Sequence, residues 1–214
     1  MKKNIYVLLI ITLVLLVCSS CNLESTKKNE VDEKFIVNSV QWGASLEYVK
    51  DDLKDYKVIK EDANRTIIGI DNYEYLETNG ELMMEFSSSE ENFPEVGFIQ
   101  AYFVYDAEEE KRLIENGEKV YGARKEYFLD KDGIENPLNP SAWCSNETIE
   151  KSLSEEEKKE YINSFNEKQY DDTRIDAILR GPLVIISVDE EKHMVRFQGN
   201  SAAIVNNIKR KTSK

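Results

Sequence analysis

Few side chains in this sequence belong to the types that act as nucleophiles or bases at neutral pH. The chain contains one histidine, His193, and three cysteines, Cys18, Cys21 and Cys144. A catalytic thiol would require Cys144 and His193 to meet in the fold, with a third group that orients the histidine. No basic residue near Cys144 in the sequence favours its thiolate, and His193 follows a charged turn. We therefore predict an inert, buried thiol and an exposed hairpin histidine.

Motifs for other kinds of chemistry are missing or incomplete. The sequence has no Gly-x-Ser-x-Gly elbow and no glycine-rich phosphate or dinucleotide loop, and one histidine with one free cysteine does not make a structural zinc site. Asp130, Asp132 and Glu135 have the spacing of part of a calcium loop. Phe128 stands where the first acidic ligand belongs, so we interpret this segment as an Asp-Gly turn. We expect no metal, no cofactor and no catalytic residue, with an envelope hydrolase that uses Cys144 or a carboxylate pair as the alternative.

The N-terminal segment has the features of an export signal. A basic pair at positions 2–3 precedes an uncharged run over residues 5–17, and two serines at 19–20 precede Cys21. The apolar run is shorter than the roughly 20 residues that a membrane-spanning helix needs. A charged start, a short apolar core and a small-residue exit together predict a secretory signal peptide.

This segment resembles the signal of bacterial lipoproteins, in which the cysteine after the cleavage site is lipidated and becomes the first mature residue. Cys18 stands where that family usually has leucine, but modification of Cys18 itself would place the bulky Val17 beside the cut. The resemblance implies removal of residues 1–20 and lipidation of Cys21. It also implies attachment to the cell membrane, on its extracytoplasmic face, through that lipid. An ordinary secretory signal cleaved near Ser20 without lipid is the alternative.

The charge of the mature chain limits its partners. Removal of residues 1–20 takes away Lys2 and Lys3 and leaves 26 basic residues against 41 acidic ones, a net charge of about −15. Such a field repels phosphate backbones and anionic headgroups, so we expect no nucleic-acid partner. Membrane attachment would then rest on acyl chains. With Cys18 removed and Cys21 lipidated, only Cys144 stays free, so no intramolecular disulfide is possible.

The first half of the remaining chain reads as one helix followed by antiparallel strands. Ser45 is a good N-cap, and the apolar residues that follow recur at helical spacing, which predicts a helix of about ten residues. Hairpins are predicted for residues 57–61 with 65–71, and for residues 73–78 with 81–87 across the Asn-Gly pair at 79–80. A long strand is expected over residues 96–105.

The second half mixes helices, a loop and further strands. Asp106 can cap a helix from residue 107 to about 128, and the capping box at 154–157 predicts a helix that runs to about residue 168. Asp-Gly and Asn-Pro pairs predict an irregular loop over residues 129–143. Further strands are expected over residues 174–179, 183–188 and 193–197.

This order of elements predicts an α+β fold, with an antiparallel β-sheet, helices packed on one face and a helical insertion in the C-terminal half. Residues 1–20 are then the signal, residues 21–34 a flexible tether and residues 35–208 a single domain. Residues 129–170 form its loop and helix insertion, and residues 209–214 a basic mobile tail. Two small αβ units that share one sheet are the alternative.

A short motif suggests a family for the domain. An aromatic-Gly-x-Ser motif at Trp42–Ser45 begins a helix that bears Val49, antiparallel strands follow, and Trp143 comes later. Over residues 38–125 the chain resembles small exported lipoproteins with folds like the β-lactamase-inhibitor proteins and the small outer-membrane assembly lipoproteins. The resemblance implies helices packed on one face of an antiparallel sheet, and binding of other proteins by the sheet or its loops. It transfers no site residues.

Tyrosines on the predicted strands are the best candidates for a binding surface. Alternation places Tyr73 and Tyr75 on one face of the sheet, and Tyr102 belongs to the long strand that follows. A sheet with helices on one side leaves its other face open, where tyrosines provide rigid contact area for a partner. The alternative is that they form core, because aromatic residues favour strands in any case. We expect a non-enzymatic, membrane-tethered module that binds an envelope protein or another envelope component.

Overall fold

A computed structural model describes residues 31–53, 55–90, 93–125, 142–163 and 172–212. From Val31 onward the chain forms one compact unit. Its described part contains a seven-stranded antiparallel sheet in the order β1-β2-β3-β4-β7-β6-β5. The strands are β1 Tyr56–Glu61, β2 Arg65–Tyr75, β3 Thr78–Glu90, β4 Phe93–Tyr105, β5 Ala142–Cys144, β6 Ile185–Asp189 and β7 Met194–Gln198.

The helices of the described part, together with the sheet, confirm the α+β class. Short 3₁₀ turns occupy Glu33–Phe35 and Ala107–Glu109. The α-helices are α1 Leu46–Val49, α2 Glu110–Tyr121, α3 Ile149–Ser152, α4 Glu155–Asn163, α5 Asp172–Leu179 and α6 Asn200–Thr212.

Alternation along the strands gives the sheet two different faces. One face, here called the core face, carries large buried side chains such as Ile68, Leu82 and Phe103, and every described helix adds residues to the same hydrophobic cluster. Leu113 of α2 and Tyr161 of α4 are examples. The other face, called the open face, adds no side chain from the middle of the sheet to that cluster. Its residues include Ile67, Met83, Glu85, Gln100, Tyr102, Val104, Ile185, Ser187, Met194, Arg196 and Gln198.

The Trp-Gly-x-Ser motif lies at a structural junction. The indole of Trp42, 1% exposed, stacks on Phe98 with ring centroids 4.5 Å apart, and its Nε1 donates to the carbonyl of Phe35 at 3.0 Å. The backbone N–H of Gly43 donates to the carbonyl of Phe98, and the Oγ of Ser45 accepts from the backbone of Tyr48. The motif therefore has turn, cap and core roles.

The predicted hairpins have different outcomes. Strands β1 and β2 confirm the first one. The second hairpin turns at Leu76 and Glu77, both at positive φ, and the expected Asn-Gly turn lies inside β3. Asn116 of α2 donates to the carbonyl of Leu76 at 3.0 Å, and an added Cβ at Gly80 would overlap the carbonyl oxygen of Val104. Contacts from other elements thus decide where the chain turns.

Helix lengths differ from the expected ones at their ends. Helix α1 has four residues, although Ser45 caps it as expected. Helix α2 stops before Gly122, whose φ of +88° suits a residue without a side chain. The capping box is confirmed, since the backbone of Ser154 donates to Glu157 at 2.9 Å and the backbone of Glu157 donates to the Ser154 hydroxyl at 3.3 Å.

Two expectations for the C-terminal region are wrong. The strand expected over residues 174–179 is part of helix α5. Asp176 of this helix forms an i,i+4 ion pair at 3.4 Å with Arg180, the residue that follows its end. The tail expected to be mobile is helical as far as Thr212, because Ile208 is fully buried and Arg210 donates to the carbonyl of Gly43 at 2.9 Å. Residues 213–214 lie outside the described part.

The expected tether and insertion also have structured portions. Val31 is 4% exposed, and Asp32 caps the turn at Glu33–Phe35, so ordered structure reaches into the expected tether at 21–34. Within the expected insertion at 129–170, Trp143 of β5 and Tyr161 of α4 belong to the core. Residues 126–141 and 164–171 lie outside the described part.

Candidate functional site

Four polar side chains on four neighbouring strands are linked across the open face by one ion pair and two hydrogen bonds. Arg65 on β2 lies 3.6 Å from the carboxylate of Glu85 on β3. The amide nitrogen of Gln100 on β4 donates to Glu85 at 2.6 Å, and Arg196 on β7 donates through Nη2 to the amide oxygen of Gln100 at 3.1 Å. We call these four residues the polar chain.

The two ends of the polar chain determine the orientation of its central amide. Arginine can only donate and an ionised carboxylate can only accept. Gln100 must therefore turn its oxygen to Arg196 and its nitrogen to Glu85. Glu85 is 7% exposed, and its partners Arg65 and Gln100 supply the contacts that a buried carboxylate needs. The polar chain is thus held in one arrangement.

Tyr102 lies beside the polar chain on the open face. It pairs with Arg196 across β4 and β7, and with Met83 across β3 and β4. The guanidinium carbon of Arg196 lies 5.8 Å from the centre of the Tyr102 ring, a cation–π geometry. Val104 and Met194 form the next pair along the same two strands, and all these side chains are half-buried. Tyr102 and Arg196 therefore form an aromatic and cationic pair with apolar neighbours.

Tyr73 and Tyr75 lie on the core face, so their expected position on the open face is wrong. The ring of Tyr75 is 5.5 Å from Phe103 and 5.0 Å from Phe197, and Tyr73 packs edge-on against Phe103. Burial raises the pKa of Tyr75, whose hydroxyl donates to Tyr121 at 3.1 Å. The register of β2 shifts between Ile70 and Tyr73, and this shift turns both tyrosines to the core face. The alternative that these tyrosines pack against the core is therefore correct.

Cys144 lies on the short edge strand β5 and is half-buried. Burial raises the pKa of its thiol to about 11, although nearby Lys125 opposes the shift. At neutral pH the group is a thiol rather than the thiolate that acts as a nucleophile. The geometry gives no support to a catalytic role.

Cys144 and His193 do not form a pair. Cys144 lies opposite Ile185, and Ile185 lies opposite Gln198. His193 comes before β7, at the other end of that strand from Gln198. At roughly 3.3 Å for each of five residues, the two side chains are separated by about 16 Å along the strand direction. A thiol–imidazole dyad is therefore absent.

His193 contacts helix α2 instead. Its Nδ1 lies 3.3 Å from Oε2 of Glu110, and the same oxygen accepts from the hydroxyl of Tyr105 at 3.3 Å. Burial, followed by the charge of Glu110, raises the pKa of Tyr105. Tyr105 also donates its backbone N–H to the carbonyl of His193, which has φ of +48°. These contacts hold the β6–β7 turn against α2 rather than arrange a catalytic base.

One carboxylate pair on the open face, Asp71 and Glu81, is engaged with a neighbouring lysine. Lys57 lies 2.7 Å from Asp71 and 3.3 Å from Glu81, so this carboxylate pair shares one cation. Within the described ranges no three His, Cys, Asp or Glu side chains are placed to hold a metal ion. The partial calcium-loop spacing at 130–135 lies outside the described residues.

Cys21, the residue predicted to carry the lipid, also lies outside the described residues. Among the helices that the structure describes, none has the length and apolar character needed to cross a bilayer. Lipidation at Cys21 stays a prediction from the signal sequence.

Sequence reasoning missed Arg196, Gln100 and Glu85. Met194, Arg196 and Gln198 alternate with Val195 and Phe197, which indicated a strand with one apolar face. This alternation did not reveal that β7 pairs with β4, which lies about ninety residues earlier. Comparisons with models of protein families, with curated proteins and with solved structures found no match.

Proposed function

We propose that this chain is an exported, lipid-anchored and non-enzymatic binding module that holds an envelope protein against the open face of its sheet. Cys21 supplies the lipid, and the domain works at the extracytoplasmic face of the cell membrane. No cofactor and no nucleic acid takes part.

The Tyr102–Arg196 pair carries this proposal. Tyrosine, arginine and methionine are enriched at the centres of protein interfaces, where few residues provide most of the binding energy. Tyr102 and Arg196 lie together on the open face, with Met83 and Met194 as neighbours. Central strands hold these side chains in place, so little conformational entropy is lost when a partner binds.

Charge on the open face is compatible with a protein partner. The whole chain has a net charge of −13. On the open face Lys57 neutralises Asp71 and Glu81 in part, and Arg65 faces Glu85. A partner therefore meets ion pairs and apolar side chains rather than a surface of one sign.

Photo-crosslinking in living cells tests the proposal. A photoreactive phenylalanine replaces Tyr102 in the full chain, and the matched control carries it at Tyr48, which is 81% exposed on α1. We expect one discrete protein adduct at position 102 and none at position 48, although position 48 is more accessible. Equal adduct patterns at both positions, or no adduct at position 102, would contradict the proposed face.

A further inference from the structure

Arg196 differs from the other basic residues of the open face. Lys57 and Lys60 contact carboxylates within 4 Å, and Arg65 contacts both Asp62 and Glu85. Arg196 has no ion pair within the part of the chain that the structure describes. It is a half-buried cation beside a neutral amide and a tyrosine ring.

The hydrogen bonds of Arg196 are also incomplete. Its Nε is buried and has no acceptor. Among the described residues, its side chain donates only through Nη2, to Gln100. A half-buried guanidinium without a counter-ion is unfavourable, and a carboxylate that accepts from its Nη groups supplies the missing counter-charge.

The polar chain orients Arg196 for such a ligand. Glu85 holds the Gln100 amide by its nitrogen, and the amide oxygen then holds Nη2 of Arg196. The guanidinium is held on its second side by the ring of Tyr102. The N–H groups on Nη1 of Arg196 are therefore available to donate to an incoming group.

We infer that Arg196 binds a carboxylate of the partner protein, either an Asp or Glu side chain or a chain terminus, while Met83 and Tyr102 contact apolar atoms beside it. This inference rests on the proposed function. The negative net charge of the chain repels an acidic partner at long range. Salt at physiological ionic strength screens this repulsion beyond about 8 Å, whereas the direct contact between Arg196 and a carboxylate is screened much less.

The test places the photoreactive residue at Met83, which adjoins Tyr102 and leaves Tyr102 and Arg196 unchanged. Adduct yield is measured in cells for Arg196→Gln, Arg196→Lys and the control Lys111→Gln, which removes the same charge from the exposed side of α2, away from the open face. We expect about a tenfold lower yield for Arg196→Gln, as loss of a charged hydrogen bond predicts. We expect an intermediate yield for Arg196→Lys and an unchanged yield for Lys111→Gln. Circular dichroism of each purified variant establishes that it is folded.

Mass spectrometry of the adduct identifies the partner segment. We expect that segment to contain Asp, Glu or a terminal carboxylate whose replacement by an amide lowers the yield about as much as Arg196→Gln. An unchanged yield for Arg196→Gln, or a segment without a carboxylate, would overturn the inference and leave the proposed binding face intact. Absence of any adduct at position 83 in the otherwise unchanged chain would overturn both.

Discussion

The hydroxyl groups of Tyr75 and Tyr121 lie 3.1 Å apart, and this hydrogen bond joins strand β2 to helix α2 inside the core. The ring of Tyr121 also packs against Trp143 of the edge strand β5, at 5.3 Å. One pair of phenols thus connects β2 and the edge strand β5 to helix α2. Tyr75, which was expected to bind a partner, serves the fold instead.

Loss of this hydrogen bond is expected to change how stability depends on pH. Burial raises the pKa of Tyr121 to about 12 from its ordinary 10.0. The folded state therefore keeps a proton that the unfolded state loses, so stability falls as pH rises through this interval. At pH 8, Tyr121→Phe is expected to lower the free energy of unfolding by about 1 kcal/mol. Urea titrations should show that this loss of unfolding free energy is smaller at pH 11.5 than at pH 8, or that its sign is reversed. A loss that is the same at both pH values would contradict a raised pKa of Tyr121 in the folded state.

Gly199 lies flat against the indole of Trp42. An added Cβ would overlap Cδ2 of that ring, which is held by Phe98 and by its hydrogen bond to Phe35. Gly199→Ala should therefore lower the free energy of unfolding by about 3 kcal/mol or more. In the control Gly69→Ala, the Cβ meets the flexible end of the Ile59 side chain at 2.7 Å, and a loss below about 1 kcal/mol is expected. If urea unfolding gives similar losses of free energy for Gly199→Ala and Gly69→Ala, the indole of Trp42 is free to move and the prediction is wrong.

The C-terminal helix is expected to be part of the folded core. Deletion of residues 208–214 removes the fully buried Ile208 and the bond from Arg210 to Gly43. We expect a loss of at least about 3 kcal/mol from burial of the side chain and the hydrogen bond together. Deletion of residues 213–214 alone is the control and should change the unfolding midpoint little. Equal unfolding midpoints for the two deletions would contradict this prediction and would favour a mobile tail at the C-terminus.

The thiol of Cys144 is expected to react slowly. With its pKa raised to about 11, the thiolate fraction at pH 8 is about one thousandth, against roughly a quarter for free cysteine. Alkylation by iodoacetamide at pH 8 should therefore be at least about 100-fold slower in the folded chain than in urea. The mass shift of the peptide that contains Cys144 measures the rate. Faster labelling of the folded chain would revive the hydrolase alternative.

Local rules predicted the parts of the fold that depend on neighbours in sequence. The capping box of Ser154 and Glu157 and the cap at Ser45 follow from such rules, as does the first hairpin. The turn at Leu76 and Glu77 does not, because Asn116 of a distant helix stabilises it.

The candidate site was less predictable for the same reason. The register shift in β2 places Tyr73 and Tyr75 in the core, and alternation alone does not say which face the helices cover. The contact of Gln100 with Arg196 requires the pairing of β4 with β7, which no local pattern reveals. Tyr102 was the one proposed tyrosine that lies on the open face.

Attachment through Cys21 decides whether the open face meets envelope proteins at all. The most direct measurement is the intact mass of the N-terminal peptide of the protein extracted from the membrane fraction. We expect a peptide that begins at Cys21 and carries acyl chains on that residue. An unmodified peptide that begins at Met1, recovered from the cell interior, would contradict the proposed anchor and the envelope partner with it.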